Sequence, residues 1–309
     1  MRTTSASTRA ATYRDLMDVV VAGSHGLLGN ALLEALRARG DRVRRLVRRQ
    51  PQTDSERQWD PASGDLDPRH LDGAHAVVNL GGAGVGDHLW TAGYKRTVLE
   101  SRTGPTSLIA ETLNSMSEPP PVWLQASAVG YYGDRGDTVL TEDAGPGDGF
   151  LAGVCERWEA ATSPAEQKVR VVNLRTGIVL SPEGGALARL LPLVRLGVAG
   201  PLGDGRQFWP WITLADVVDA MLHLLDSDVS GPVNMTAPEP VRNRELTSAL
   251  AEGFHRPAVL PVPELALRVA LGEFGGTLTD SQRAVPRALL ADGFTFTHPS
   301  VSDAVAWLV

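Results

Sequence analysis

Three glycines spaced by two residues, Gly23, Gly26 and Gly29, follow the apolar run Val19-Val20-Val21-Ala22 and lead into a helix-like stretch from Asn30 to Arg39. The pattern is chemically suggestive because of what surrounds it. An apolar strand, a turn without side chains and a helix start together make a cradle for a dinucleotide pyrophosphate. Backbone amides at the helix N-terminus face the phosphates, and glycines admit them where a Cβ would clash. Ser24, His25, Leu27 and Leu28 fill the intervening positions. His25 can touch phosphate or simply point into solvent.

The next strand-like run, Arg42 to Val47, ends in Arg48-Arg49. An acidic residue about 20 residues beyond the glycines would take the ribose 2′-hydroxyl of NAD. Arg48 stands there instead, and a guanidinium suits the 2′-phosphate of NADP. Seven arginines lie between Arg37 and Arg49, so a solvated basic strand end is the competing reading. Asn79-Leu80-Gly81, closing a third apolar run, allows the backbone to pass close to the adenosine half.

These residues need a scaffold, and the hydrophobic pattern supplies it. Strands are predicted near 18–22, 42–47, 75–80, 121–126 and 168–174, with a short one at 55–59 on the far side of the sheet. Helices are predicted near 26–39, 90–114 and 150–162. Such alternation specifies an α/β fold, a Rossmann-type doubly wound parallel sheet. Beyond Leu174 the alternation loosens. Helices near 185–195, 214–227, 243–253 and 263–271 and a strand at 232–235 suggest a smaller substrate-side lobe. The expected division is a disordered extension at 1–16, an NADP-binding domain at 17–180 whose sheet later segments complete, and a lobe at 181–309 with a small C-terminal domain from about 255. The loop 197–210, which brings Phe208 and Trp209 close to Trp211, is expected to be a binding loop or lid.

The 309-residue chain carries a formal charge of −7, which argues against a nucleic-acid or anionic-membrane partner. No run of 18 apolar residues occurs, so no spanning helix is expected. The single cysteine, Cys155, excludes an internal disulfide, and the histidines show no metal-ligand spacing. A cytoplasmic setting is expected. Residues 1–16 lack the apolar core of a secretory signal, and Met17, immediately before the first strand, is an alternative start.

With these residues assembled, the chain resembles the extended short-chain dehydrogenase/reductase superfamily. More narrowly, it is similar to an atypical epimerase family often described as nucleoside-diphosphate-sugar epimerases or SulA-like proteins. The matching stretches are Ala22 to Gly29, Val78 to Gly81, Trp90 with Lys95-Arg96 and Ser101-Arg102, Ser127 to Gly133, Leu174 to Gly177, Gly203 to Ile212, and Gly231 to Asn234. Ser281-Gln282-Arg283, Pro286 and Gly293-Phe294 resemble that family's small C-terminal domain. The resemblance implies NADP(H) held by the glycine loop, Arg48, Asn79, Leu80 and the segment from Lys95 and Arg96 to Ser101. Arg49, Gly81 and Arg175 complete the expected cofactor contacts.

Members of the superfamily usually place a Ser or Thr beside a Tyr and a Lys four residues later, where the ammonium lowers the phenol's pKa. Here the pair is missing. The chain has two lysines, Lys95 and Lys168, and no tyrosine has a lysine four residues on. Anchored on Glu159, Leu151 takes the place of the Tyr and Cys155 that of the Lys. Ser127, Tyr131 and Tyr132 are the substitute catalytic candidates, packing being the alternative for the two tyrosines. Cys155 reads as core filler. Asp216 is expected to cap a helix in competition with Thr213, while Asn234 and Arg242 could line the substrate side. The leading expectation is an NADP(H)-dependent oxidoreductase or epimerase acting on a small molecule, with a reductase-like step favoured on chemical grounds. The second is an NADP-binding sensor or interaction protein with vestigial chemistry.

Overall fold

The computed structural model of the chain describes residues 16–185, 194, 200–256 and 261–309. Nearly all of the expected 1–16 extension and 185–195 helix, and the start of the 197–210 loop, lie outside them. The first strand, β1 (Asp18–Ala22), is apolar throughout except for Asp18 and is buried on both faces, as a central parallel strand requires. Helix α1 (Leu27–Ala38) follows it and buries Gly29, Leu32, Leu33 and Leu36 at helical spacing. Then come β2 (Arg42–Val47), β3 (Glu56–Gln58), β4 (Ala76–Asn79), α2 (Ala92–Ser115), β5 (Val122–Ala128), a 3₁₀ turn (Val129–Tyr132) and β6 (Val139–Leu140). Helix α3 (Phe150–Ala160), β7 (Arg170–Thr176) and β8 (Ile178–Leu180) complete the first part.

Among the described residues the main sheet has seven strands, all parallel. From one edge they are β11 (Gly231–Met235), β7, β5, β4, β1, β2 and β3. One face packs on α1 and α4 (Leu214–Asp226), through Leu32, Leu36, Met221 and Leu224. Against the other face lie Ile109 and Leu113 of α2, with Trp59 and Trp123. Because every strand runs the same way, the loops after β1, β2, β4, β5 and β7 gather at one edge. In a doubly wound sheet this is where ligands bind.

Two segments differ from expectation. α4 and β11 belong to the main sheet layer, not to the smaller lobe, because their apolar faces complete its core. The smaller lobe is built from β9 (Phe208–Trp209), β10 (Trp211–Thr213), β12 (Val241–Arg242) and the helices α5 (Asn243–Gly253), α6 (Glu264–Leu271) and α9 (Val301–Leu308). Short α7 (Glu273–Thr277), β13 (Arg283–Ala284) and α8 (Arg287–Ala291) lie between α6 and α9. The aromatic residues expected in a binding loop or lid are packed into the lobe. Phe208, Trp209 and Trp211 are all buried, β9 pairs with β12, and the Trp209 indole donates to the Leu278 carbonyl at 3.1 Å.

Candidate functional site

At the end of β1 the chain turns sharply through Gly23, whose φ is +77°. A Cβ there would lie 2.6 Å from the Gly81 nitrogen and from the Leu80 carbonyl carbon, so the turns after β1 and β4 touch backbone to backbone. A Cβ on Gly29 would meet the Gly23 oxygen at 2.3 Å, so this glycine lets the helix start close against the turn. Gly26 is the N-cap of α1 and offers no side-chain acceptor. The first amides of the helix, at Leu27, Leu28 and Gly29, are left to an external acceptor. The cradle fits a pyrophosphate.

The tip of β2 divides its arginines by role. Arg49 forms a two-pronged bond to Glu56 (2.8 and 2.7 Å) and is committed there instead of being held ready for a phosphate. Glu56 is buried and also accepts from the Gln52 amide at 2.7 Å. The Arg49 hydrogen bond, with that amide, holds its carboxyl down to about 2. Arg48 is exposed, and its side chain makes no hydrogen bond among the described residues.

Arg45 went unnoticed in the sequence. Its Nε donates to Ser24 Oγ at 3.0 Å, and Nη2 lies 3.0 Å from His25 Nε2. Strand alternation carries the signal, since Arg45 shares the α1 face with Val43 and Val47, but the crowd of arginines hides it. Beside β4, Asn79 donates to Gln125 at 3.0 Å and accepts from the Gly81 amide at 3.2 Å. Leu80 donates its amide to the Ala22 carbonyl, and the Ser101 hydroxyl accepts from the Ala83 amide at 3.0 Å. Arg96 is exposed on α2.

Further along the edge, the register opposes Ser127 on β5 to Arg175 on β7, and Glu159 of α3 joins them. Ser127 donates to Glu159 Oε1 at 2.6 Å, while Arg175 grips both carboxylate oxygens at 2.8 Å. Arg175 also donates to the Tyr132 hydroxyl at 3.0 Å, which donates to Asn234 Oδ1 at 2.7 Å. Burial pulls the Arg175 guanidinium down, but the Glu159 carboxylate more than offsets this and holds it above the ordinary arginine value. Burial pushes the Tyr132 phenol up.

Three expectations therefore change. Ser127 and Tyr132 are buried with their hydroxyls engaged, and Arg175 lies inside this network instead of at an open cofactor surface. Asn234 likewise is interior, while Arg242 pairs with Asp137. Tyr131 differs: it is half-buried, with its ring centroid 3.6 Å from the Arg175 guanidinium carbon. The positions of the missing pair are filled by packing. A Cβ on Gly130 would lie 3.5 Å from Leu151 and 3.8 Å from the Cys155 sulfur. Burial, aided by Glu159, pushes the Cys155 thiol up to about 12, which removes it as a nucleophile. Asp216 caps less than it is capped: Thr213 accepts its amide, and its carboxylate takes the Thr297 and His298 amides.

The C-terminal segment closes over this edge. Trp90 meets Phe150 edge-on (centroids 5.0 Å apart) and Phe274 at a tilt (5.6 Å), and Lys95 pairs with Glu273. Beside them a cavity of about 380 Å³ is lined by Arg268, Gly272, Glu273, Gly276, Thr277 and Asp280. Burial, with Asp134 nearby, pushes the Asp280 carboxyl up to about 6. No sequence spacing marked Asp280. Among the described residues no cluster of His, Cys, Asp or Glu could hold a metal, and no helix is long and apolar enough to cross a membrane.

Residues 19–236 match the sequence family described as NAD dependent epimerase/dehydratase, and residues 262–308 match a domain of unknown function, DUF1731. The chain is similar to the epimerase family protein Mb2239 of Mycobacterium bovis, at 43% identity over 292 residues, covering 94% of this chain and 96% of that protein. Among solved structures it resembles human epimerase family protein SDR39U1 (isoform 2), crystallised with NADPH. That match has a TM-score of 0.87 at 31% identity and covers 94% of this chain and 99% of the human one. A nucleoside-diphosphate sugar epimerase from Corynebacterium glutamicum matches with a TM-score of 0.77 at 36% identity, over 94% of this chain and 58% of that one.

Proposed function

The chain belongs to the NAD dependent epimerase/dehydratase family, and from that premise we propose that it is an NADP(H)-dependent oxidoreductase or epimerase acting on a small molecule, with reduction the favoured direction of chemistry. One observation carries the cofactor choice: the end of β2 presents Arg45, which reaches Ser24 and His25, and the exposed Arg48, in place of a free acidic residue. Glu56, the nearby carboxylate, is already neutralised by Arg49 and Arg45. A 2′-phosphate is therefore attracted rather than repelled. The human relative's crystallisation with NADPH supports the same reading.

When bound, the reduced dinucleotide supplies a hydride. This chain's residues do the rest. Gly23, Gly26 and Gly29 admit the pyrophosphate, and the α1 amides hold it. Tyr131 is the candidate proton donor, because its ring is exposed in part while Ser127 and Tyr132 are committed to the buried network. Arg175 fixes its orientation from beneath. A reduction can also draw its proton from water, so the absence of the Tyr-Lys pair weighs less against it than against reversible epimerisation.

The test is equilibrium binding of NADPH against NADH, followed by NADPH oxidation with pooled metabolites. Tighter binding of NADPH, with turnover reduced roughly 100-fold in Tyr131→Phe, is expected. A preference for NADH ends the cofactor assignment. The second reading, a dinucleotide-binding sensor, is favoured by the replacement of the usual pair with Leu151 and Cys155 packed against Gly130. It is the better account when NADPH binds tightly and no metabolite oxidises it.

A further inference from the structure

Arg102 is a half-buried cation without a carboxylate partner among the described residues. It projects from α2 toward the loop after β4, where a Cβ on Gly82 would come within 3.2 Å of its guanidinium carbon and 3.4 Å of Nη1. On another side the guanidinium lies 5.0 Å from the ring centroid of Trp158 on α3. Its side-chain hydrogen bond runs to the Val98 carbonyl of its own helix at 2.9 Å. Among the described residues no carboxylate pairs with it. Burial pulls it below the ordinary arginine value, with the Cys155 thiol and Tyr94 phenol set weakly against that.

A guanidinium carries five N–H donors; the protein matches one of them, through the Val98 carbonyl, and the others are left to meet a ligand's acceptors. Its position narrows which ligand. The adenosine half of a dinucleotide lies by β1 and β2, so the other half must run toward β4 and β5. Gly82 follows β4, and α3 packs on β5. Arg102 stands between them, beside the thiol that fills the place of the missing lysine. We propose that Arg102 anchors the nicotinamide half of the dinucleotide, its guanidinium donating to the ribose hydroxyls there, so that a cation from α2 serves where α3 offers none. This rests on the dinucleotide reading above.

The experiment compares two probes by titration calorimetry on the full chain: NADPH, and adenosine 2′,5′-bisphosphate, which carries only the adenosine half. In Arg102→Met, NADPH binding is expected to weaken roughly 10- to 100-fold, the scale of charge-assisted hydrogen bonds. Affinity for the bisphosphate should stay within about threefold of wild type, the margin set by sites too far apart to couple. The nucleotide-free variant should melt at the wild-type temperature or above it, since methionine removes an uncompensated charge. A merely structural arginine would lower the melting temperature and weaken both probes alike. That result, or unchanged NADPH affinity, overturns the proposal. Arg102→Gln, planar but neutral, is read by the same criteria should Arg102→Met fold poorly. Wild-type protein that binds neither probe overturns the dinucleotide reading itself, and the proposal with it. Wild type that binds both, beside a variant weakened on neither, overturns only the role of Arg102.

Discussion

The two ends of the sheet's carboxyl edge are built on opposite plans. At β1 and α1 the cradle is open, backbone-lined and local in sequence: Gly23, Gly26 and Gly29 span the turn and the first residues of the helix. At β5 and β7 the polar groups are closed upon each other and come from far apart, Ser127, Tyr132, Glu159, Arg175 and Asn234. The first arrangement awaits a ligand's acceptors, whereas the second has already satisfied its own. Binding and rigidity are thus divided along a single edge, and Tyr131 and Arg102 are the polar side chains that stand between the two regimes.

The comparison can be broken most severely at the cradle. Gly29→Val would drive a side chain into the Gly23 carbonyl, a contact of 2.3 Å already at Cβ. NADPH binding is expected to fall by more than about 1,000-fold, with the turn forced open. Circular dichroism checks that the sheet survives, and retained affinity would show that the turn is not the phosphate site. At the closed end, Glu159→Gln strands the buried Arg175. Urea unfolding should reveal a loss of about 3–5 kcal/mol. The double variant Glu159→Gln/Arg175→Met should recover much of it. No recovery would mean that the network matters less than the packing around it.

The smallest effect belongs to Asp280. Its folded value near 6 lies above that of an ordinary carboxylate, so the fold favours the protonated form. That stabilisation is fully present below the unfolded value and disappears as pH rises through about 6. Asp280→Asn should therefore be more stable than wild type at pH 8, on the order of 1 kcal/mol, and equal to it below pH 4. Thermal denaturation at both pH values measures the difference. A gain at low pH as well would assign the effect to packing, not to charge.

The difference between the two ends also decides what could be read without coordinates. The glycine turn, the parallel strands and the long helices were legible because each rests on local spacing. Gly23 needs a positive φ, and Leu32, Leu33 and Leu36 keep a helical stripe. The engagement of Ser127, Tyr132 and Arg175 was not legible, because the register of β5 against β7 and the reach of Glu159 join residues with no sequence relation. Arg48 and Arg49 look equivalent in the sequence. Only the position of Glu56 on β3 separates them, by occupying one and sparing the other. Similarly, Phe208 and Trp209 look like part of a binding loop or lid until Val241 and Arg242 arrive to pair with them.

Strand β11 enters the sheet only after the chain has left β7 and travelled through residues 177–230. During synthesis, a chain grown only to residue 180 therefore presents the unpaired rim of β7, with Val171, Val172 and Leu174 on it. That rim is an adhesive edge until Gly231–Met235 emerges to cover it. Expression truncated before Met235 should consequently yield aggregates, whereas synthesis slowed only after that residue should not.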